Sequence, residues 1–155
     1  MTKTYVVVGA SSGIGLEIAK SLLASGNEVI TLSRRQPELS GNTHYTLDVV
    51  SDELDSIPAP DSIAGFVYAP GSINLKPFRG LKPDDFQNDL NVNFLGATKV
   101  LKWGYKALTA DSVSSVVLYS RVAVQQGMPF HASVAAAKGA VEGLTKSLAA
   151  ELAPK

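Results

Sequence analysis

The sequence predicts a doubly wound α/β fold, in which helices cover both faces of a parallel β-sheet. Short apolar runs rich in β-branched residues alternate with longer segments of helical periodicity along the 155 residues. The runs are almost continuously apolar, as is typical of parallel strands that are buried on both faces. A glycine cluster directly follows the first run, where such folds turn from strand to helix. Residues 1–155 are therefore expected to form one domain.

The first strand, turn and helix are predicted from the segment TYVVVGASSGIGLEIAKSLLASG. Helical spacing places Ile14, Ile18, Leu22 and Leu23 on one face, which we expect to be buried. Gly26 comes where a left-handed residue commonly ends a helix. The next run, EVITLS, is the predicted second strand, and the whole segment has the length of a βαβ unit.

Three more strands are predicted from HYTLDV, SIAGFVYAP and SSVVLYS. The prolines of SDELDSIPAP, between the third and fourth strands, allow no more than a short helix there. A long helix is predicted over 82–108, because Pro83 and two aspartates suit a helix N-terminus. After the fifth strand, a loop containing Gly127 and Pro129 leads to a final helix over 133–152.

Composition excludes several classes of function. The chain has 14 basic and 14 acidic residues and no basic block, which argues against a nucleic-acid partner. It has no cysteine, and no apolar stretch approaches the ~18 residues of a membrane span, so no membrane partner is expected. His44 and His131 are too few and too far apart in sequence to predict a metal site. A cytoplasmic protein is the expectation.

The glycine cluster GASSGIG predicts a dinucleotide site of the Rossmann type. Gly9 permits a tight turn, Gly13 lets the backbone approach a pyrophosphate, and Gly15 allows close packing of the helix on the sheet. Free N–H groups at the helix start attract phosphate, and the hydroxyls of Ser11 and Ser12 can add donors. The alternative is a glycine-rich turn without a ligand.

The residues after the second strand indicate which dinucleotide binds. An acidic residue there would bind the ribose hydroxyls of NAD(H), whereas a basic residue would accept the 2′-phosphate of NADP(H). The chain has Ser33, Arg34 and Arg35, with no carboxylate before Glu38. NADP(H) is therefore favoured over NAD(H), and the alternative is that both arginines only solvate a loop.

Four motifs in order, VVVGASSGIG, LDV, NVNFLG and AAAKGAVEGLTKSLAAELAP, resemble those of the short-chain dehydrogenase/reductase family. The resemblance covers the whole chain. It implies a five-stranded sheet of order 3-2-1-4-5 and hydride transfer to or from a small carbonyl or alcohol substrate. It also implies that residues 1–155 lack the family's last two strands and substrate loop, which would leave one sheet edge uncovered.

The resemblance extends the candidate cofactor site beyond the glycine cluster. The family's Asp-hydrophobic pair after the third strand corresponds to Asp48 and Val49. Its Asn-Asn-Ala-Gly segment corresponds to YAPG, of which only Gly71 is retained. Motif and resemblance together assign the cofactor to Gly9, Ser11, Ser12, Gly13, Ile14, Gly15, Ser33, Arg34, Arg35, Asp48, Val49, Gly71 and Lys138.

The resemblance also supplies candidate catalytic residues. Asn93 matches the asparagine of the family's proton relay, and Lys138 matches the lysine that binds the nicotinamide ribose. The family's catalytic tyrosine corresponds to Val134, which has no ionisable proton. The family's serine aligns with Arg121 if SRVAV is matched without a gap, and with Ser120 if the spacing is counted from Asn93.

Two hypotheses follow. In the first, an NADP(H)-dependent oxidoreductase uses a non-standard proton donor, for which His131 has a suitable intrinsic pKa, while Arg121 polarises a carbonyl or holds an acidic substrate. In the second, the chain is a catalytically silent nucleotide-binding or oligomerisation module. In family members the helices equivalent to 82–108 and 133–152 form the dimer interface, so a homo-oligomer is expected.

Overall fold

A single parallel sheet organises the chain in a computed structural model that describes residues 2–110 and 113–153. The strand order is β3-β2-β1-β4-β5, as predicted, and every adjacent pair is parallel. The strands are β1 (Thr4–Val8), β2 (Glu28–Ser33), β3 (Thr43–Thr46), β4 (Gly65–Tyr68) and β5 (Ser115–Leu118).

Helices lie on both faces of the sheet and bury two separate apolar clusters. Val7 of β1 packs with Ala19 of α1 on one face, whereas Val6 of β1 packs with Val100 of α3 on the other. This division follows from the alternation of side chains along a strand. The helices are α1 (Gly13–Ala24), α2 (Pro83–Leu90), α3 (Gly96–Leu108), α4 (Val122–Gln126) and α5 (Ala132–Leu152).

The predicted helix over 82–108 is interrupted. It starts at Pro83, but residues Asn91–Leu95 form a π-helical segment between α2 and α3. A π segment inserts one residue into a turn and is frequently found at functional sites. Asn93 lies at its centre.

Two further expectations were wrong. Ile14 is not on the buried face of α1, because it lies in the first turn, ahead of the part that packs on the sheet, and it is 62% exposed. Ile18, Leu22 and Leu23 do pack against the core. The segment after β5 was expected to be a loop, but it contains the short helix α4, which begins directly after Arg121.

The outer edge of β5 is open among the described residues. β5 pairs only with β4, and an apolar groove of about 690 Å³ lies between α3, β5 and the second half of α5. Leu144 and Leu148 of α5 line it, packed against the core beneath. No helix in the described part of the chain is long and apolar enough to cross a bilayer.

Candidate functional site

The glycine loop joins β1 to α1, and at two of its glycines a side chain would clash with neighbouring atoms. A Cβ on Gly15 would lie 2.4 Å from the Gly9 carbonyl oxygen, and a Cβ on Gly9 would lie 2.9 Å from the ring of Pro70. Gly9 and Gly13 also have positive φ angles, 80° and 58°. The loop can therefore keep its shape only without side chains at these positions.

The start of α1 leaves donors available at this loop. The Leu16 N–H donates to the Ser12 carbonyl at 3.4 Å, and the amides that precede Leu16 in the first turn have no intrahelical acceptor. Ser12 occupies the N-cap position but its hydroxyl does not cap the helix. Gly13 has nothing within 4 Å of where its Cβ would be. Such an end of a helix can bind a phosphate group.

The loop after β2 presents two exposed arginines. The Ser33 hydroxyl is buried and donates to the Arg35 carbonyl at 2.8 Å, which shapes the turn. Arg34 and Arg35 are exposed, and neither forms an ion pair within the described residues. Both guanidinium groups are therefore free to bind an anion.

The loop after β3 is held by its own side chains. The Val50 N–H donates to Asp48 Oδ1, and the Asp48 N–H donates to Asp52 Oδ2. The latter bond is the main reason why the pKa of Asp52 is lowered. Lys99 of α3 donates to the carbonyls of Val50 and Asp52, and Val49 is buried. The loop is thus rigidly placed beside the sheet.

The segment YAPG after β4 contacts both halves of the site. Pro70 packs on Gly9, as described above, and Tyr68 is buried with its hydroxyl donating to the Val92 carbonyl at 2.6 Å. That carbonyl belongs to the π segment. Burial, and secondarily the charge of Asp48, raises the pKa of Tyr68. Gly96 makes room for the hydroxyl, since a Cβ there would lie 2.5 Å from it.

Gly71, Asn93 and Lys138 come together next to this segment. A Cβ on Gly71 would lie 3.4 Å from Asn93 Oδ1 and 3.9 Å from Lys138 Nζ. Asn93 is buried, and its amide group donates to Ser72 Oγ and to the Asp89 carbonyl. Asn93 Oδ1 has no hydrogen-bond partner among the described residues, so it remains free to accept one.

Lys138 is a buried cation in the first half of α5. It is 8% exposed, and no carboxylate of the described residues lies within ion-pairing distance of it. Burial lowers its pKa, and the nearby charge of Arg121 lowers it further. Val134 lies one helical turn earlier and is completely buried. This part of the site therefore holds the positive charges of Lys138 and Arg121. Val134 supplies no acidic group beside them.

The two remaining candidate catalytic residues, Ser120 and His131, each form a hydrogen bond away from Lys138. Ser120 Oγ donates to the carboxylate of Glu142, one turn after Lys138 on α5. His131 is the residue before α5, and its Nδ1 lies 2.7 Å from the Pro129 carbonyl oxygen. Nδ1 carries the proton in that bond, because the carbonyl oxygen can only accept, and Nε2 is not part of it.

Comparison with known proteins agrees with this geometry. A family model described as enoyl-(acyl carrier protein) reductase matches residues 9–155. L-xylulose reductase of Bos taurus is 28% identical over 162 residues, which cover 96% of this chain and 65% of that protein.

Solved structures give the same picture. The aldohexose dehydrogenase of Thermoplasma acidophilum superposes with a TM-score of 0.85 at 26% identity, covering 99% of this chain and 62% of that one. A short-chain dehydrogenase of Streptomyces avermitilis, at 24% identity, shares the fold with a TM-score of 0.86 over 99% of this chain and 62% of its own. The chain thus spans less than two thirds of the length of these proteins.

The chain belongs to the short-chain dehydrogenase/reductase family. This is a family of oxidoreductases that use nicotinamide cofactors.

Sequence reasoning missed several polar residues of the candidate site. Asp89 is buried and accepts a hydrogen bond from Ser72, while Asp89 Oδ2 and the buried Ser133 Oγ have no partner among the described residues. A signal existed for Asp89, because it lies four residues before Asn93 and so shares its helix face. No signal in the sequence linked Ser72 to Asn93.

Proposed function

We propose that this short-chain dehydrogenase/reductase binds NADP(H) and transfers a hydride between the nicotinamide and a carbonyl or alcohol substrate, using an atypical active site. The observation that carries the proposal is the buried Lys138 beside Gly71 and the free acceptor of Asn93. An unpaired buried cation costs stability, and a sugar hydroxyl at this point would supply an oxygen for the ammonium group.

The cofactor would lie across the carboxyl ends of the strands. The pyrophosphate would bind at Gly9, Ser11, Ser12 and the start of α1, with Ile14 and Gly15 supplying backbone there. The adenine would lie near Asp48 and Val49, and the exposed Arg34 and Arg35 next to Ser33 favour the 2′-phosphate of NADP(H) over NAD(H). Gly71 and Lys138 would face the nicotinamide ribose.

Proton transfer needs a donor other than the residue at 134. We assign it to His131, whose imidazole can exchange a proton and whose Nε2 is not used in the loop. Arg121 would polarise the substrate oxygen, and Asn93 would hold a bridging water. Ser120 is engaged with Glu142, which leaves Arg121 as the stronger candidate for the family's serine position.

The test is turnover of NADPH with a panel of aldehydes and ketones, followed as loss of the reduced cofactor. Activity that disappears in His131→Ala, while NADPH binding persists, is the expected result. The double variant Val134→Tyr, Arg121→Ser tests whether the family's tyrosine and serine can take over proton transfer from His131. Its folding is checked first, because Val134 is fully buried. Activity that is indifferent to His131→Ala would overturn its assignment as proton donor.

A second candidate function is a silent nucleotide-binding or oligomerisation module. The burial of Val134 and the open edge of β5 favour it. In that case NADPH binds, no carbonyl compound is turned over by the starting protein or its variants, and α2, α3 and α5 form a homo-oligomer. Sedimentation of the chain with and without NADPH measures the oligomeric state.

A further inference from the structure

Two loops that leave the candidate site carry an unusual set of exposed apolar side chains. One follows Gly71 after β4, and the other, which includes α4, follows Arg121 after β5. Six of their large apolar side chains are between 47% and 76% exposed. This apolar rim consists of Ile73, Leu75, Phe78, Val122, Met128 and Phe130.

The two loops of the apolar rim touch each other beside the site. The Lys76 N–H donates to the Phe130 carbonyl at 3.2 Å. Both loops start at the residues that approach Lys138, since Gly71 adjoins its ammonium group and Arg121 lowers its pKa. The charge of Lys76 is neutralised by an ion pair with Asp85 at 2.8 Å. The apolar rim is therefore continuous with the candidate site.

The backbone of Phe130, in the second of these loops, is strained. Its φ is 67°, and it is the only residue other than glycine with a positive φ among the described residues. Bulky side chains rarely adopt this region, and such strain clusters at ligand sites. The neighbouring bond between His131 and the Pro129 carbonyl helps to fix the turn. The ring is nevertheless exposed instead of packed in the core.

We propose that the substrate is an apolar ketone or aldehyde, or the corresponding alcohol, whose hydrocarbon part is covered by the apolar rim. This inference rests on the proposed function. A hydride from NADPH forms the new C–H bond at the carbonyl carbon, a proton goes to the oxygen, and the products are the alcohol and NADP⁺. Exposed apolar patches of this kind mark binding sites, and contact with hydrocarbon removes them from water.

The test measures the affinity of the protein loaded with NADP⁺, which cannot reduce a ketone, for the series 2-butanone, 2-hexanone, 2-octanone and 2-decanone by calorimetry. Full burial of each added methylene corresponds to about a fourfold gain in affinity, so we expect a two- to fourfold gain per methylene. A polar ketone of similar size, dihydroxyacetone, should bind more weakly than 2-butanone.

Substitutions in the apolar rim test whether the hydrocarbon chain binds there. Phe130→Asn suits the positive φ and so should fold at least as well, yet it should reduce the gain per methylene, as should Phe78→Ser. The matched control is Val113→Ser, because Val113 is 77% exposed and lines the groove beside α3 and β5 instead. This control should bind the series as the starting protein does.

Each other outcome overturns the inference. NADPH binding without any dependence on chain length would remove the apolar substrate and leave the proposed function standing. A dependence that Val113→Ser reduces and the rim variants do not would place the hydrocarbon in the groove. Rim variants that only dissociate an oligomer in sedimentation would make the rim a contact between copies. Failure to bind NADPH would refute the proposed function itself.

Discussion

The loops after β1 and β4 lie side by side, yet they follow the family pattern to different degrees. The loop after β1 retains every glycine of the motif, and sterics explain Gly9 and Gly15. The loop after β4 retains only Gly71, with Tyr68, Ala69 and Pro70 in place of the usual residues. The glycine loop depends on backbone shape, which few substitutions preserve, whereas a segment that acts through side chains can keep its place with other residues.

The rebuilt segment has its own structural logic. Tyr68 donates to the carbonyl of Val92, in the π segment that presents Asn93, and Pro70 packs on Gly9. Tyr68 and Pro70 therefore connect the glycine loop with the Asn93 side of the candidate site. The comparison predicts that substitutions in the first loop affect cofactor binding most, and that those in the second affect stability and the charge of Lys138.

The largest effect is expected for Gly15→Ala. Its Cβ would lie 2.4 Å from the Gly9 carbonyl oxygen, so the loop must shift. We expect a loss of about 1–3 kcal/mol in the free energy of unfolding. We also expect at least about tenfold weaker NADPH binding, equivalent to ~1.4 kcal/mol. Urea denaturation and calorimetry measure the two quantities.

Gly143→Ala is the matched control for the glycine loop. Gly143 is helical, and nothing lies within 4 Å of where its Cβ would be. Alanine should therefore stabilise the chain by up to about 1 kcal/mol and leave NADPH binding unchanged. Equal effects of both substitutions would contradict a special role for the loop.

Tyr68→Phe should be the next largest change. It removes the hydrogen bond that the buried Tyr68 hydroxyl donates to the Val92 carbonyl. The expected loss in unfolding free energy is about 1–3 kcal/mol. Tyr105→Phe is the control, because Tyr105 is 43% exposed. If urea denaturation gives the same midpoint for both variants, Tyr68 does not hold the π segment.

Lys138→Met should stabilise the protein without cofactor and abolish tight NADPH binding. The pKa of Lys138 is lowered from 10.5, so between its folded value and 10.5 the unfolded state binds more protons. Stability from this group therefore rises with pH in that window. The methionine variant should lack this rise and gain about 1 kcal/mol at neutral pH. A methionine variant that is less stable at neutral pH would contradict the claim that the buried, unpaired charge of Lys138 costs stability.

The smallest effect is expected for Arg121→Gln. Removing the guanidinium charge should raise the pKa of Lys138 while leaving it below 10.5, because burial is the larger cause. Nuclear magnetic resonance of labelled lysine side chains would follow the titration. Arg35→Gln is the control, as it lies on an exposed loop after β2. An unchanged pKa of Lys138 in Arg121→Gln would show that the charge of Arg121 does not act on Lys138.

The strands were predictable because their short apolar runs are bounded by turn residues, as with EVITLS, and their order followed from the resemblance to the family. The π segment was not, since NVNFL has the same helical spacing as its neighbours, and the bulge depends on the Tyr68 hydroxyl and Gly96 across the core. The short helix α4 was missed because VAVQQ is only five residues long.

The candidate site was predictable where a motif fixes the backbone, and less so where contacts are distant in sequence. The proximity of Gly71, Asn93 and Lys138 follows from the order of the motifs. The pairing of Ser72 with Asn93 and of Ser120 with Glu142 depends on side-chain directions that only the packed structure provides.

The most direct test of the central claim is a calorimetric titration of the chain with NADPH and, separately, with NADH. The account predicts saturable binding of one nucleotide per chain, tighter for NADPH, with the preference reduced in Arg34→Gln and Arg35→Gln. Failure to bind either nucleotide would contradict the claim that the glycine loop and Lys138 form a working cofactor site.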